Sequence, residues 1–173
     1  GCEPLGRLNK LFIAPGLLAG TNASSASRIS VGGKSPLTNG IKEANSGGII
    51  GQKLARAGVR AIVLEEKNDD GNLYVLKIDQ DGVQLIVQNE LKGLGTYDTT
   101  KTLLAKYGKG VAILCVGPGG ERGLRSAAIA MNDPFGELKF AARGGLGAVM
   151  GVKGLKAIVV DDTGLNELQF HDR

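Results

Sequence analysis

Glycine constrains this chain more than any other residue: 28 of its 173 residues are Gly, about twice the ordinary ~7% usage. The glycines are neither periodic nor part of a low-complexity tract. They gather between apolar runs, at Gly32-Gly33, Gly47-Gly48, Gly51, Gly117, Gly119-Gly120, Gly144-Gly145, Gly147 and Gly151. Glycine lets the backbone take a positive φ or come close to another group. Clusters of this kind either pack strands and helices tightly or cradle a ligand. The length suits one domain with a sizeable core, or two small repeats sharing one.

The remaining composition narrows the partners. The net charge of +4 suits a bound anion, but the basic residues are too scattered for a nucleic-acid surface. Trp is absent and aromatics are few, so no base-stacking platform is expected. No apolar run approaches the ~18–20 residues that cross a bilayer, so no membrane span is expected. Gly1–Lys10 lacks the basic-then-apolar order of a signal peptide. Cys2 and Cys115 are too few and too far apart for a disulfide framework or a metal ligand set. Cys115, inside Val111–Val116, reads as a buried small hydrophobe. A reducing, cytoplasmic setting is expected. The start without Met and the polar end from Gly164 suggest a fragment of a longer protein.

Hydrophobic periodicity predicts strands at 10–14, 27–31, 41–45, 61–64, 73–78, 83–87, 110–116, 126–131, 138–142 and 155–160. It predicts helices at 47–57, 96–107 and 145–152, with Gly58 and Gly108 as stops. Asp79-Gln80-Asp81-Gly82 between two strands is a hairpin signal. The end of the chain echoes the beginning. Ala57–Leu64 aligns with Lys153–Val160, Gly48 with Gly144, Gly51 with Gly147, and Phe12–Gly16 with Ile113–Gly117. The expected fold is α+β and internally duplicated. Each repeat runs strand, strand, strand, helix, strand, at about 10–66 and 110–161, with a hairpin and helix at about 72–108 between them. A pseudo-twofold axis would aim both Gly-Gly helix starts at one point, where unpaired N–H groups could meet phosphates or a bridging metal.

Other motifs fail on spacing. Gly32-Gly33-Lys34-Ser35 is not a P-loop, because Arg28 stands where the first glycine is needed and Pro36 follows. Gly145-Leu146-Gly147 is not a dinucleotide fingerprint, because Met150 stands where the third glycine belongs. His171 lies in the tail and supports no catalytic triad. Glu65-Glu66, Asp69-Asp70 and Asp161-Asp162 read as solvated turns. No catalytic residue is assigned.

Several stretches are distinctive in order and spacing: Pro15–Thr21, Ser27–Val31, Lys34-Ser35-Pro36-Leu37-Thr38, Asn45-Ser46-Gly47-Gly48, Ala142–Gly151 and Lys153–Ala157. Together they resemble the N-terminal domain of the aldehyde:ferredoxin oxidoreductase family, over about Pro4 to Val160. The resemblance implies a floor under a tungsten, or molybdenum, bis-pterin cofactor, in an enzyme that oxidises aldehydes to carboxylic acids and passes electrons through an iron–sulfur cluster to ferredoxin. It implies cofactor contacts from Arg28, Asn45, Ser46 and Gly47 on one side and Arg143, Gly144 and Gly145 on the other. Backbone carbonyls of Asn45 and Gly144 would face a phosphate-bridging magnesium. Arg suits this role because its planar fork matches phosphate. The cluster cysteines and the helical domains of the family have no counterpart here, so the fragment alone is expected to hold no cofactor and not to turn over aldehyde. Its expected partners are the remaining domains of the enzyme, with a homodimer possible through exposed apolar surface. A relative with another substrate and a non-catalytic scaffold keeping the fold are the alternatives.

Overall fold

The computed structural model describes residues 1–165; the tail beyond, with His171, lies outside the described residues. Among the described residues the order is β1 (Leu11–Pro15), β2 (Ile29–Lys34), β3 (Ile41–Ser46), α1 (Ile50–Arg56), β4 (Ile62–Leu64), β5 (Tyr74–Asp79), β6 (Gly82–Val87), a 3-10 turn (Asn89–Leu91), α2 (Thr96–Tyr107), β7 (Ala112–Val116), α3 (Pro118–Glu121), β8 (Ile129–Asn132), β9 (Leu138–Ala141), α4 (Leu146–Val152) and β10 (Leu155–Val160).

The strands form two sheets. The first runs β3-β2-β1-β4 and the second β6-β5-β10-β7-β8-β9. All pairings are antiparallel except β5 with β10. β2 alternates buried and half-buried residues, as a strand covered on one face does, whereas β7 and β10 are buried throughout.

Helices α1 and α4 lie between the sheets. Ile50 and Leu54 of α1 and Leu146, Val149 and Met150 of α4 join Leu11, Ile13 and Val31 from the first sheet and Leu114, Met131 and Ile158 from the second in one core. Each such buried side chain contributes ~1.5–3 kcal/mol of hydrophobic stabilisation. On the far side of the second sheet, Ile113, Cys115, Ala157 and Val159 pack under Leu91 and under Leu103 of α2.

The two sheets share more than an element order. The neighbour sequence β3-β2-β1-β4 reappears as β9-β8-β7-β10. Phe12↔Val63 and Ile13↔Ile62 in the first correspond to Ile113↔Val159 and Leu114↔Ile158 in the second. Pro15↔Ile29 corresponds likewise to Val116↔Ile129.

A buried ion pair ties the far side of the second sheet together. Lys156 of β10 has no exposed surface. Its ammonium donates to the Glu121 carboxylate on α3 and to the Leu94 carbonyl, the latter at 2.7 Å. Glu121 in turn accepts the Gly93 N–H at 2.9 Å.

Some expectations need correction. The second strand is Ile29–Lys34, not 27–31, because Gly33 lies within it: a Cβ there would strike the Lys10 carbonyl oxygen at 2.7 Å. The first helix begins at Ile50, after Gly47-Gly48. The eighth strand begins at Ile129, because 125–126 form a turn. The short α3 was not anticipated, although Pro118 occupies a favoured helix-start position. Asp162 is no solvated turn residue: its carboxylate is 12% exposed and pairs with Lys53 and Arg56. Burial raises its pKa, but these two cations more than compensate and leave it below the usual carboxylate range. Between Glu65-Glu66 and Asp69-Asp70 the backbone is pinned, since the Asn68 N–H donates to the Val152 carbonyl at 3.2 Å.

Cys115 behaves as read. Burial pushes its thiol up to about 11, and Thr100 lies 3.7 Å away. In the folded protein a disulfide reagent at pH 8 is expected to modify half-exposed Cys2 and spare Cys115, with the second thiol appearing only in denaturant. Rapid loss of both thiols from the native protein would contradict this burial.

Candidate cofactor-binding site

Arg28 precedes β2 and turns outward, away from the core. Its Nε donates to Oδ1 of Asn45 on the neighbouring β3. Asn45 stands opposite Ser30 in the ladder, and its Nδ2 donates to the Ser30 hydroxyl at 3.4 Å. Arg28, Ser30 and Asn45 thus form one exposed polar cluster at the edge of the first sheet. Among the described residues, the terminal guanidinium nitrogens of Arg28 have no ion-pair partner.

The chain then turns at Gly47-Gly48 toward α1. Ser46 is buried. Gly47 is open: a Cβ built there meets nothing within 4 Å. Gly48 is closed, because a Cβ would strike Met131 and the Asn132 carbonyl.

The second Gly-Gly pair lies between β9 and α4. Gly144 and Gly145 have φ of 73° and 68°, the left-handed region that favours glycine. Both are buried in protein. Lys42 of β3 lies across Gly144, and the Arg125 carbonyl and Pro36 close over Gly145. The Gly144 carbonyl accepts the hydroxyl of buried Ser35 at 2.7 Å. The same Ser35 oxygen accepts the Leu37 and Thr38 N–H groups, each at 3.1 Å. Ser35 therefore fastens the loop after β2 to the segment that starts α4. Arg143, just before it, is exposed and makes no ion pair among the described residues.

Two groups of the expected residues are therefore built: Arg28 with Asn45 and open Gly47, and Arg143 beside Gly144 and Gly145. Lys42 of β3 and Ser35, just after β2, reach the second group across the joint between the sheets. No hydrogen bond joins Arg143 to Asn45. Sequence reading missed Lys42 as a member, and gave Ser30 and Ser35 only as parts of motifs. Surface hollows elsewhere include one of about 620 Å³ between α2 and the β8–β9 turn, lined by Tyr97, Lys101, Leu104 and Phe135. Among the described residues no cluster of three or more His, Cys, Asp or Glu could hold a metal, and no helix is long and apolar enough to cross a membrane.

Known proteins are similar to this chain in sequence and fold. The family described as aldehyde ferredoxin oxidoreductase, N-terminal domain, matches residues 1–162. The tungsten-containing aldehyde ferredoxin oxidoreductase of Pyrococcus abyssi is 43% identical over 159 residues, 91% of this chain and 25% of that protein. The aliphatic sulfonate oxidoreductase, WOR-like subunit, of Pyrococcus furiosus is 32% identical, over 94% of this chain and 27% of that protein. A chain of the active-site complex BamBC of benzoyl coenzyme A reductase superposes with a TM-score of 0.83 at 34% identity, covering 92% of this chain and 23% of that one. The chain thus spans about a quarter of the curated relatives it matches. On the match across nearly its whole length, the chain belongs to the aldehyde ferredoxin oxidoreductase family and corresponds to its N-terminal domain.

Proposed function

We propose that this chain is the floor that grips a tungsten bis-pterin cofactor in a longer oxidoreductase, one that converts aldehydes to carboxylic acids with ferredoxin as electron acceptor. The observation that carries the reading is the open backbone at Gly47 beside Arg28 and Asn45. The bond to Asn45 uses Arg28 Nε and orients the guanidinium, leaving both terminal nitrogens to donate to a phosphate or pterin oxygen. Arg143 would supply the second cation. The Gly144 carbonyl, oriented by Ser35, keeps a lone pair that could face a phosphate-bound magnesium, as could the Asn45 carbonyl.

Gly144 and Gly145 also pack the protein against itself. Their missing side chains admit Lys42, Pro36 and the Arg125 backbone. They shape the loop that presents Arg143. When bound, the cofactor would supply the redox chemistry; these residues orient and neutralise its phosphates. An iron–sulfur cluster would belong to the remaining domains. The shared registers also support taking 10–66 and 110–161 as two related units joined by 72–108.

A second reading, another substrate on the same floor, is favoured by the sulfonate-oxidoreductase and benzoyl coenzyme A reductase relatives. Tungsten content of the full-length protein tests the floor itself. Arg28→Ala is expected to lower tungsten and pterin per polypeptide by about tenfold or more, since a charge-assisted hydrogen bond contributes ~1.5–3 kcal/mol. Retained metal at the wild-type level, in a folded variant, would leave a scaffold reading in its place.

A further inference from the structure

The second sheet ends on β6, and this edge lacks the protection the other edges have. β3 and β9 lie against one another at the joint between the sheets. β4 is three residues long. β6 is six residues long and carries no charge and no proline from Gly82 to Val87. Its ladder with β5 has no bulge, and among the described residues β5 is its sole strand neighbour. Shortness, charge, proline or a bulge ordinarily keeps an edge strand from pairing with another chain.

Two properties of β6 coincide on the same residues. The Gln88 N–H donates to the Leu73 carbonyl at 2.8 Å. Bonded and non-bonded positions alternate along an antiparallel pair, so Ile86, Gln84 and Gly82 also turn their backbone groups toward β5. Val83, Leu85 and Val87 therefore turn theirs to the open edge. Their side chains share one face, opposite Ile78, Leu76 and Tyr74, and are 66%, 60% and 50% exposed. An apolar row and a set of open N–H and C=O groups thus belong to one residue triplet.

We propose that β6 is an interface between two copies of this chain, paired antiparallel across a twofold axis at Leu85. An axis perpendicular to the sheet keeps every side chain on its own face. Leu85 then meets Leu85 of the second copy, and Val83 meets Val87, with every outward N–H and C=O of the triplet paired. Moving the axis to Gln84 sets Val87 against Asp81, and moving it to Ile86 sets Val83 against Asn89. In the Leu85 register Asp81 falls opposite Asn89 and Gln80 opposite Glu90, so no like charges meet. This self-matching of apolar row, backbone direction and flanking charge selects a second copy over an unrelated strand. The contact is isologous and uses up both edges, so association stops at two. One ladder of this length falls short of the ~1,200–2,000 Å² buried in standard stable interfaces, so the pair forms and parts with concentration.

The test uses the full-length protein with Gln84, outside the apolar row, replaced by photoreactive benzoylphenylalanine. Irradiating a mixture of heavy-isotope and ordinary protein should give mixed-isotope cross-links within residues 82–88 of two copies. Leu85→Lys should abolish these links, because it opposes two ammonium groups at the axis. Amide-resolved hydrogen exchange supplies a second reading. On dilution of the wild type, Val83, Leu85 and Val87 should exchange at least about tenfold faster, while Gln84 and Ile86, bonded to β5, stay unchanged and report an intact fold. Links confined to one polypeptide, links surviving Leu85→Lys, or exchange without this alternation would each overturn the assignment. None of these readings depends on the cofactor site at Arg28.

Discussion

Glu121→Ala should destabilise the chain by about 3–5 kcal/mol, because it strands a buried ammonium. Lys156 has no exposed surface, and without Glu121 its remaining partner is the Leu94 carbonyl. The reverse holds for the pair as a whole. Lys156→Met combined with Glu121→Leu removes both charges and fills similar volume, a change that is often neutral in buried pairs. The Gly93 N–H that loses Glu121 belongs to an exposed residue and can turn to water. The double variant is therefore expected to recover at least half of the single variant's loss, read from urea unfolding. A loss below about 1 kcal/mol for Glu121→Ala would mean that water reaches Lys156 in solution.

Gly151→Ala should lower stability by about 3 kcal/mol, the upper range for forcing atoms into a filled core. A Cβ at Gly151 of α4 would sit on the carbonyl of Gly120 in α3, far inside contact distance. Gly120 is equally constrained, its own Cβ falling 2.7 Å from Val116 Cβ and 2.9 Å from the Gly147 carbonyl oxygen. The obstacles are mostly backbone, so relief requires moving one helix away from the other. For a chain of this size the loss corresponds to about 6–12 °C in Tm. Gly110→Ala is the control: a Cβ there meets nothing within 4 Å, and the change should stay within ~0.5 kcal/mol. Equal Tm values for the two variants would show that α3 and α4 can separate freely.

Local signals made part of this fold readable. Apolar spacing closed by Gly108 fixes α2 at Thr96–Tyr107, and an apolar run broken only by Lys156 fixes β10 at Leu155–Val160. Ala57–Leu64 and Lys153–Val160, which echo each other in sequence, contain β4 and β10, the strands beside β1 and β7. The Gly-Gly pairs were harder. A ligand and a neighbouring backbone both demand a missing Cβ, so Gly47, open, and Gly145, closed, look alike in sequence. The Ser35 bond to Gly144 spans 109 residues and has no local signature. Lys156 did carry a signal: a lysine amid Leu155–Val160 must find a partner if the strand is buried.

The parallel pairing of β5 with β10 also sets an order of events during synthesis. β1 to β4 are complete once Leu64 has emerged, so the first sheet can close early. The centre of the second sheet is its last strand, and Tyr74 meets Leu155 only after 81 further residues have been made. Until then the β5–β6 ribbon and β7 have an unfilled slot between them. Such distant pairing carries high contact order and slows folding, so the ribosome must release nearly the entire domain before its largest sheet can form.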